Sequence, residues 1–423
     1  MTRFRLALFS AVLCLPAGAY AQDIAGALAG IEECRETNCT GFRLADYDGL
    51  TQIPPELLSL TSVDWIGFGY SNKITDLTPL RKMPWLNGLD LAGAGPVDLS
   101  ALSELYALRI LNISDVPVDD IAALAPIDTL SELDLASTGV SDLTPVSYMP
   151  AMRILSVRNT PVTDLAPLAG LRAMETLTLD STQVTDLSPL ASMFGLRRLS
   201  LQNTPVENIA PLTVLSGLQD LNLFNTKITS LGSLYNLRGI TELGIENTGV
   251  TDLAPLRYMS GLQRLRLDQT NVSDLTPLAK TEGLLSLSFS QTRVTDLSPL
   301  AGMRALRSLR LDRTGVEDLT VIGGFTNLQD LSLDETKVAS LAALSGAVAL
   351  QILSVADSNV SDISALAGMK KLESLSLKGS KVTDLSALIG LPNLRDLNIE
   401  GLKLSDPGQE AVLKEQGVSV QNR

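Results

Sequence analysis

Residues 184–205 read VTDLSPLASMFGLRRLSLQNTP. Near-copies stand on both sides: VTDLAPLAGLRAMETLTLDSTQ from 162 and VENIAPLTVLSGLQDLNLFNTK from 206. The opening aliphatic residue recurs at a fixed step of 22, as Ile74, then Val118, Val140, Val162, Val184, Val206, Ile228, Val250, Val272, Val294, Val316, Val338, Val360, Val382 and Leu404. Only Pro96 interrupts the series, with Val97 one place late. Fifteen complete units fill residues 74–403 without an insertion, and a slightly longer one, around LTSVDWIGFGYSNK, precedes them. So short and fixed a period overrides the two or three domains that 423 residues would otherwise suggest.

Within a unit the apolar positions fall as L-x-x-L-x-L, for example Leu196, Leu199 and Leu201. The L-x-L portion has the period of a strand with one buried and one open face. A second apolar set, Val184, Leu187 and Leu190, spans VTDLSPL, where Pro189 and its counterparts disfavour a long helix. That arm predicts a turn or a single 3₁₀ turn. One short strand and one compact arm cannot bury enough surface to order 22 residues, so each coil must stack on its neighbours, strand beside parallel strand.

These residues resemble the bacterial internalin-like leucine-rich repeat proteins, whose units run L-x-x-L-x-L-x-x-N-x-I-x-D-L-x-P-L. The resemblance spans about residues 52–406. It implies a curved right-handed solenoid, with a parallel β-sheet on the concave face and short 3₁₀ or turn segments on the convex face. One departure is consistent along the chain. Where the family carries an internal asparagine, this chain has threonine, from Thr138 through Thr336, and only Asn72 keeps the family residue. We expect a ladder in which each threonine hydroxyl bonds the backbone of a neighbouring coil.

The ends read as caps. MTRFRLALFSAVLCLPAGAYA, residues 1–21, has a basic start at Arg3 and Arg5, an apolar run from Leu6 to Leu15, and a small-x-small close at Ala19-Tyr20-Ala21. The pattern is that of an export signal cleaved before Gln22. Residues 22–51 form an N-terminal cap in which QDIAGALAGIEE is helical and Cys34 pairs with Cys39 in a disulfide, as an oxidising compartment favours. The repeat array runs over 52–404. In the C-terminal cap, 405–423, Asp406 is the expected N-cap, Pro407 the first helical residue, Gly417 the stop and VSV a last edge strand. Export with no wall-sorting tail points to the periplasm or the medium.

Removing residues 1–21 takes away two arginines and no acid, leaving 31 basic and 47 acidic side chains, a net charge of -16. That balance argues against a nucleic-acid partner and against anionic membrane surfaces. No later segment reads as a membrane span. The chain has no histidine, which removes the Ser-His-Asp and Cys-His arrangements and leaves two thiols a poor zinc site. No phosphate loop or metal-ligand spacing appears. We therefore read a non-enzyme that needs no cofactor.

A column of aspartates recurs in the arms: Asp76, Asp98, Asp120, Asp142, Asp164, Asp186, Asp252, Asp274, Asp296, Asp318, Asp362, Asp384 and Asp406. A calcium ladder would use such carboxylates. Asn208, Ser230 and Ser340 fill the same place, however, and these are good turn caps but weak anionic ligands, so capping is the favoured role. The outward strand positions define the binding surface. Their central column, from Asp90 to Asn398, is mostly small and polar and leaves room for a partner. The residues the repeat does not require cluster in the middle: Phe224, an outward aromatic, with Arg198 on one side, Glu242 and Glu246 on the other, and Arg264, Arg266 and Arg310 beyond. Aromatic and arginine residues dominate binding hot spots. The expected partner is a protein or peptide; an envelope component that recognises glycan is the alternative, though one aromatic is few for stacking sugars.

Overall fold

The computed structural model describes residues 24–47, 50–69 and 73–422. The export signal at 1–21 and Asn72 lie outside the described residues. Two compact units divide the chain, one reaching Leu196 and the other starting at Arg197.

The first unit opens with helix α1 (Ile24–Thr37), which buries Ala27, Ile31 and Cys34. The helix extends one turn beyond the expected segment, so Cys34 lies on it. Cys34 is disulfide-bonded to Cys39 in the loop that follows, with the two Cα atoms 4.9 Å apart. Strands β1 (Gly41–Arg43), β2 (Trp65–Gly67), β3 (Gly88–Asp90) and β4 (Ile110–Asn112) follow. The unit closes with β5 (Glu132–Asp134), β6 (Ile154–Ser156) and β7 (Thr176–Thr178). Each strand is parallel to the next. The register advances from Trp65 to Gly88 and then in steps of 22, from Gly88 to Ile110 to Glu132 to Ile154 to Thr176. The longer coil before residue 74 is thus a real feature of the stack.

The second unit repeats the plan. It holds β8 (Arg198–Ser200), β9 (Asp220–Asn222), β10 (Glu242–Gly244), β11 (Arg264–Arg266) and β12 (Ser286–Ser288). Then come β13 (Ser308–Arg310), β14 (Asp330–Ser332), β15 (Ile352–Ser354), β16 (Ser374–Ser376) and β17 (Asp396–Asn398). Helix α2 (Gly408–Glu415) and the edge strand β18 (Ser419–Gln421) complete it, with β18 parallel to β17. The helix begins one residue later than expected. The Asp406 carboxylate accepts the Gly408 N–H at 2.9 Å, and Gly417 turns the chain with φ +88°.

Each arm is a 3₁₀ turn of three to five residues, with proline in its first positions where the sequence supplies one, as at Ser188–Ser192 and Ala254–Tyr258. Both apolar sets point inward: Val184, Leu187, Leu190, Leu196, Leu199 and Leu201 are all buried. Two places break the pattern. Pro96 is exposed and Val118 half-buried, and Val116 is fully buried instead. Val116 occupies the threonine position of its coil; with no hydroxyl to satisfy, it enters the core and its neighbour two places on moves out.

The threonines do not behave as expected. Their hydroxyls bond their own coil: Thr182 donates to the Leu179 carbonyl at 2.7 Å, Thr204 to Leu201 at 2.7 Å and Thr314 to Leu311 at 2.7 Å. The reason is the preceding residue, which is left-handed in coil after coil: Ser181 (φ +57°), Asn203 (φ +57°) and Arg313 (φ +56°) among them. That turn swings the threonine back over the carbonyl three residues upstream. Asparagine adopts this conformation readily, and the asparagine column lies here, one place before the threonine. Asn225 donates to Asn203 at 2.8 Å and Asn247 to Asn225 at 2.7 Å, so this column carries the coil-to-coil ladder. Thr314→Val keeps the shape and removes the hydroxyl; we expect a loss of about 1 kcal/mol in urea unfolding, the usual net value of one such bond.

Candidate binding face

The arm aspartates cap their own turns. Asp186 accepts the Ser188 N–H at 2.8 Å, Asp252 the Ala254 N–H at 2.7 Å and Asp318 the Thr320 N–H at 2.8 Å. The substituted positions do the same: Asn208 to Ala210 at 2.9 Å, Ser230 to Gly232 at 3.2 Å and Ser340 to Ala342 at 3.3 Å. Hydrogen bonds from the Ser188 hydroxyl and amide hold Asp186 below the usual carboxylate range. The column is therefore wiring of the arms.

The sheet face is wired as well, which the sequence did not suggest. Behind many strands an N–H needs an acceptor, and two recurring devices supply it. Where the central column carries Asn or Asp, that side chain accepts from the residue two places on: Asp90 from Ala92 at 3.1 Å, Asp134 from Ala136 at 2.9 Å, Asn222 from Phe224 at 3.1 Å. At Ser288, Ser332 and Ser354, an aspartate in the previous coil reaches forward. Asp268 accepts from Ser288 Oγ and from the Ser290 N–H at 2.6 Å; Asp312 accepts from Ser332 Oγ and from the Asp334 N–H at 2.9 Å. Asp334 does the same for Ser354 and Ala356. Much of the small polar column is thus committed to the fold.

Burial raises the Asp134 carboxyl, with opposing help from the Ala136 N–H and Ser156. A raised value means that the folded chain holds this proton more tightly than the unfolded chain. Stability from this group therefore falls as pH climbs through the unfolded value, about 3.9, and on through the raised folded value. Asparagine keeps the acceptor without the charge, as at Asn112, which takes the Ser114 N–H at 2.9 Å. Asp134→Asn should therefore raise the melting temperature at neutral pH, and the gain should vanish in strongly acidic buffer.

The expected binding residues all lie on the second unit's sheet face and split into two groups. Glu242 pairs with Arg264 across β10 and β11, and Glu246 pairs with Arg266. The second pair depends on a glycine: a Cβ at Gly244 would sit 2.4 Å from Arg266 Nη2 and 2.7 Å from Glu246 Oε2. Without a side chain there, Arg266 lies back over β10 and reaches Glu246. Burial pushes the Glu246 carboxyl up, opposed by Arg266. These four residues are tied to one another.

Arg198, Phe224 and Arg310 form the other group. Arg198 and Arg310 are exposed, and neither has a carboxylate within 4 Å that would make an ion pair among the described residues. Arg310 lies two strands beyond Arg266, about 10 Å away at the usual strand spacing. Phe224 is half-buried rather than open. Coils stacked at about 4.8 Å cover the flanks of an outward ring and leave its edge free. The more exposed aromatics lie elsewhere, at Tyr106, Tyr148, Phe194, Tyr235 and Tyr258, all on the arm side of the coils. Reading only the strand positions for binding missed them; their sequence signal is an aromatic in or just after the 3₁₀ arm, where most repeats carry a small or charged residue.

A leucine-rich repeat region model matches residues 68–376. Among solved structures the chain is similar to an internalin, InlF, of Listeria monocytogenes, at 28% identity and TM-score 0.67, covering 71% of this chain and 88% of that one. It is similar to a leucine-rich repeat protein of Leptospira interrogans at 16% identity and TM-score 0.67, covering 95% and 98%. The functional domain of InlJ from Listeria monocytogenes, which includes a cysteine ladder, matches at 18% identity and TM-score 0.65, covering 82% and 74%. At these lower identities the last two show the fold alone. A comparison with curated proteins finds no match. Leucine-rich repeat folds commonly serve as protein-binding scaffolds and are typically non-enzymatic. With its strands, 3₁₀ arms and 22-residue register, the chain belongs to the leucine-rich repeat family and is of the bacterial internalin-like kind.

Proposed function

We propose that this protein is an exported, non-enzymatic scaffold that holds a protein or peptide on the sheet face of its second unit, around Phe224, Arg198 and Arg310. The observation that supports this reading is selective freedom. On a face where the serines, asparagines and aspartates are hydrogen-bonded into the coils, Arg198 and Arg310 make no ion pair within 4 Å among the described residues and act only through space on Asp220 and Asp330. An aromatic with one guanidinium in the adjacent coil and a second four strands further along, about 19 Å away at the usual strand spacing, has the composition of an extended interface. Export is supported by residues 1–21 and by the Cys34–Cys39 disulfide, which suits the periplasm or the extracellular medium. Among the described residues no helix is long and apolar enough to cross a membrane.

The test is crosslinked capture from envelope and secreted fractions with residues 22–423, beside the variant Phe224→Ala, Arg310→Glu. Arg266 is left intact, because its loss would disturb the fold. A protein captured by the parent and lost from the variant supports the reading. Specific capture that the variant retains places the site elsewhere, and the absence of any specific protein sinks it. N-terminal sequencing of the exported chain tests the signal, with Gln22 as the expected first residue.

A further inference from the structure

We propose that the arm side of the second unit carries a separate docking site, centred on Tyr235 and Tyr258, that takes an acidic peptide segment. It does not rest on the sheet-face reading. The 3₁₀ turns Gly232–Leu234 and Ala254–Tyr258 lie on successive coils and border a shallow, open cleft of about 410 Å³, lined by Gly232, Tyr235, Asp252, Ala254, Pro255, Arg257 and Tyr258. The two rings meet edge to face, with centroids 5.4 Å apart and planes at 82°. They are nevertheless 46% and 44% exposed, so the contact orients the rings and occupies part of their faces while leaving the remainder open. Arg238 lies over the Tyr258 ring at 5.8 Å.

Charge names the occupant. The chain carries -14 overall, yet Arg238 and Arg257 make no ion pair with any carboxylate among the described residues, while other arginines of this unit do. The one acid in the lining, Asp252, already accepts the Ala254 N–H at 2.7 Å. The lining thus offers one guanidinium, Arg257, with Arg238 beside it over Tyr258, two phenols and one aspartate already engaged by a backbone N–H, a set that suits an incoming carboxylate. A sugar would need an open, flat ring face. Here the edge-to-face pair and the guanidinium over Tyr258 crowd the ring faces. Side chains of a peptide can instead fill the angle between the rings against Pro255, with a carboxylate on Arg257. Tyrosine and arginine together are also the residues that dominate protein contacts.

The probe is a random dodecapeptide display library selected on residues 22–423, followed by fluorescence anisotropy of the recovered peptides. We expect peptides rich in Asp and Glu that bind more weakly in about 0.5 M salt, where charges are screened within a few ångströms. Arg257→Glu should weaken them by about tenfold or more, a hot-spot loss. Arg257→Lys should recover part of that loss, and Tyr148→Ala, at an exposed arm tyrosine of the first unit, should change nothing. Bound peptide should also protect Tyr235 and Tyr258 from nitration, a reading that needs no substitution. Recovery of no peptide, or of peptides without acidic bias, overturns the proposal. So does binding that survives Arg257→Glu or that Tyr148→Ala abolishes. Displacement of the peptides by oligogalacturonate at lower concentration would assign the cleft to an acidic glycan and equally overturn it.

Discussion

Phe289→Ala is expected to lower the unfolding free energy by about 3–5 kcal/mol, the range for removing a fully buried phenylalanine. Phe289 has no exposed surface and stands between the aliphatic residues Leu267 and Leu311 of the adjacent coils. Its coil compensates elsewhere. The same 22 residues carry Thr281, fully buried, where the coils on either side carry Met259 and Met303. Thr281 satisfies its hydroxyl on the Leu278 carbonyl at 2.7 Å, so the exchange of methionine for threonine leaves volume without leaving an orphan polar atom. A large residue on the strand side and a small one on the arm side conserve the volume of the coil. Two further variants test this. Thr281→Met alone should overpack the coil and cost about 1–3 kcal/mol. Phe289→Leu with Thr281→Met should lie closer to the parent than the two single losses predict. Strict additivity in urea titrations would show that the two positions do not share one space.

Arg266→Ala is expected to cost about 2 kcal/mol, through the partner it abandons more than through any contact of its own. Glu246 has only 13% of its side chain exposed and Arg266 has 37%. Breaking a buried pair typically costs about 3–5 kcal/mol because one charge is left uncompensated; the exposed flank of Arg266 screens part of that. The Glu246 Oε2 atom already lacks a hydrogen-bond partner in the intact chain, so little else is at hand to take the charge. The pH dependence has a definite sign. Burial holds the Glu246 carboxyl above its ordinary value, and loss of Arg266 removes the first-ranked opposing influence and raises it further. The variant should therefore be weakest at neutral pH and approach the parent as acid protonates Glu246. Glu246→Gln in the Arg266→Ala background should recover most of the loss near pH 7. A deficit that is independent of pH would mean that the arginine acts by packing over Gly244.

Much of this was legible in the residues. A 22-residue step repeated without insertion can only stack, because a single coil cannot bury its apolar set. The L-x-L alternation then fixes which side chains enter the core, and the prolines keep the arms short. The capping role of the arm aspartates followed from their replacement by asparagine and serine, and the Cys34–Cys39 pairing from the oxidising compartment. Four of the seven expected binding residues, Glu242, Glu246, Arg264 and Arg266, pair with one another in the fold. No residue type reveals this, and the Arg266–Glu246 contact further needs the bare backbone of Gly244 beneath it.

The periodic sequence by itself determined the architecture: fold class, strand register, arm conformation and the identity of the core. These depend on spacing along one coil, and spacing is written in the chain. Only the tertiary structure decided which polar groups serve the fold and which remain free, since that depends on distances between coils 22 residues apart. It turned the threonines onto their own carbonyls, gave the coil-to-coil ladder to the asparagines beside them, and committed Asp268, Asp312 and Asp334 to the next coil. It also brought Tyr235 and Tyr258, 23 residues apart, into one cleft. A hydrogen bond or a ring contact is settled within a few tenths of an ångström, a precision that stacking supplies and periodicity alone does not.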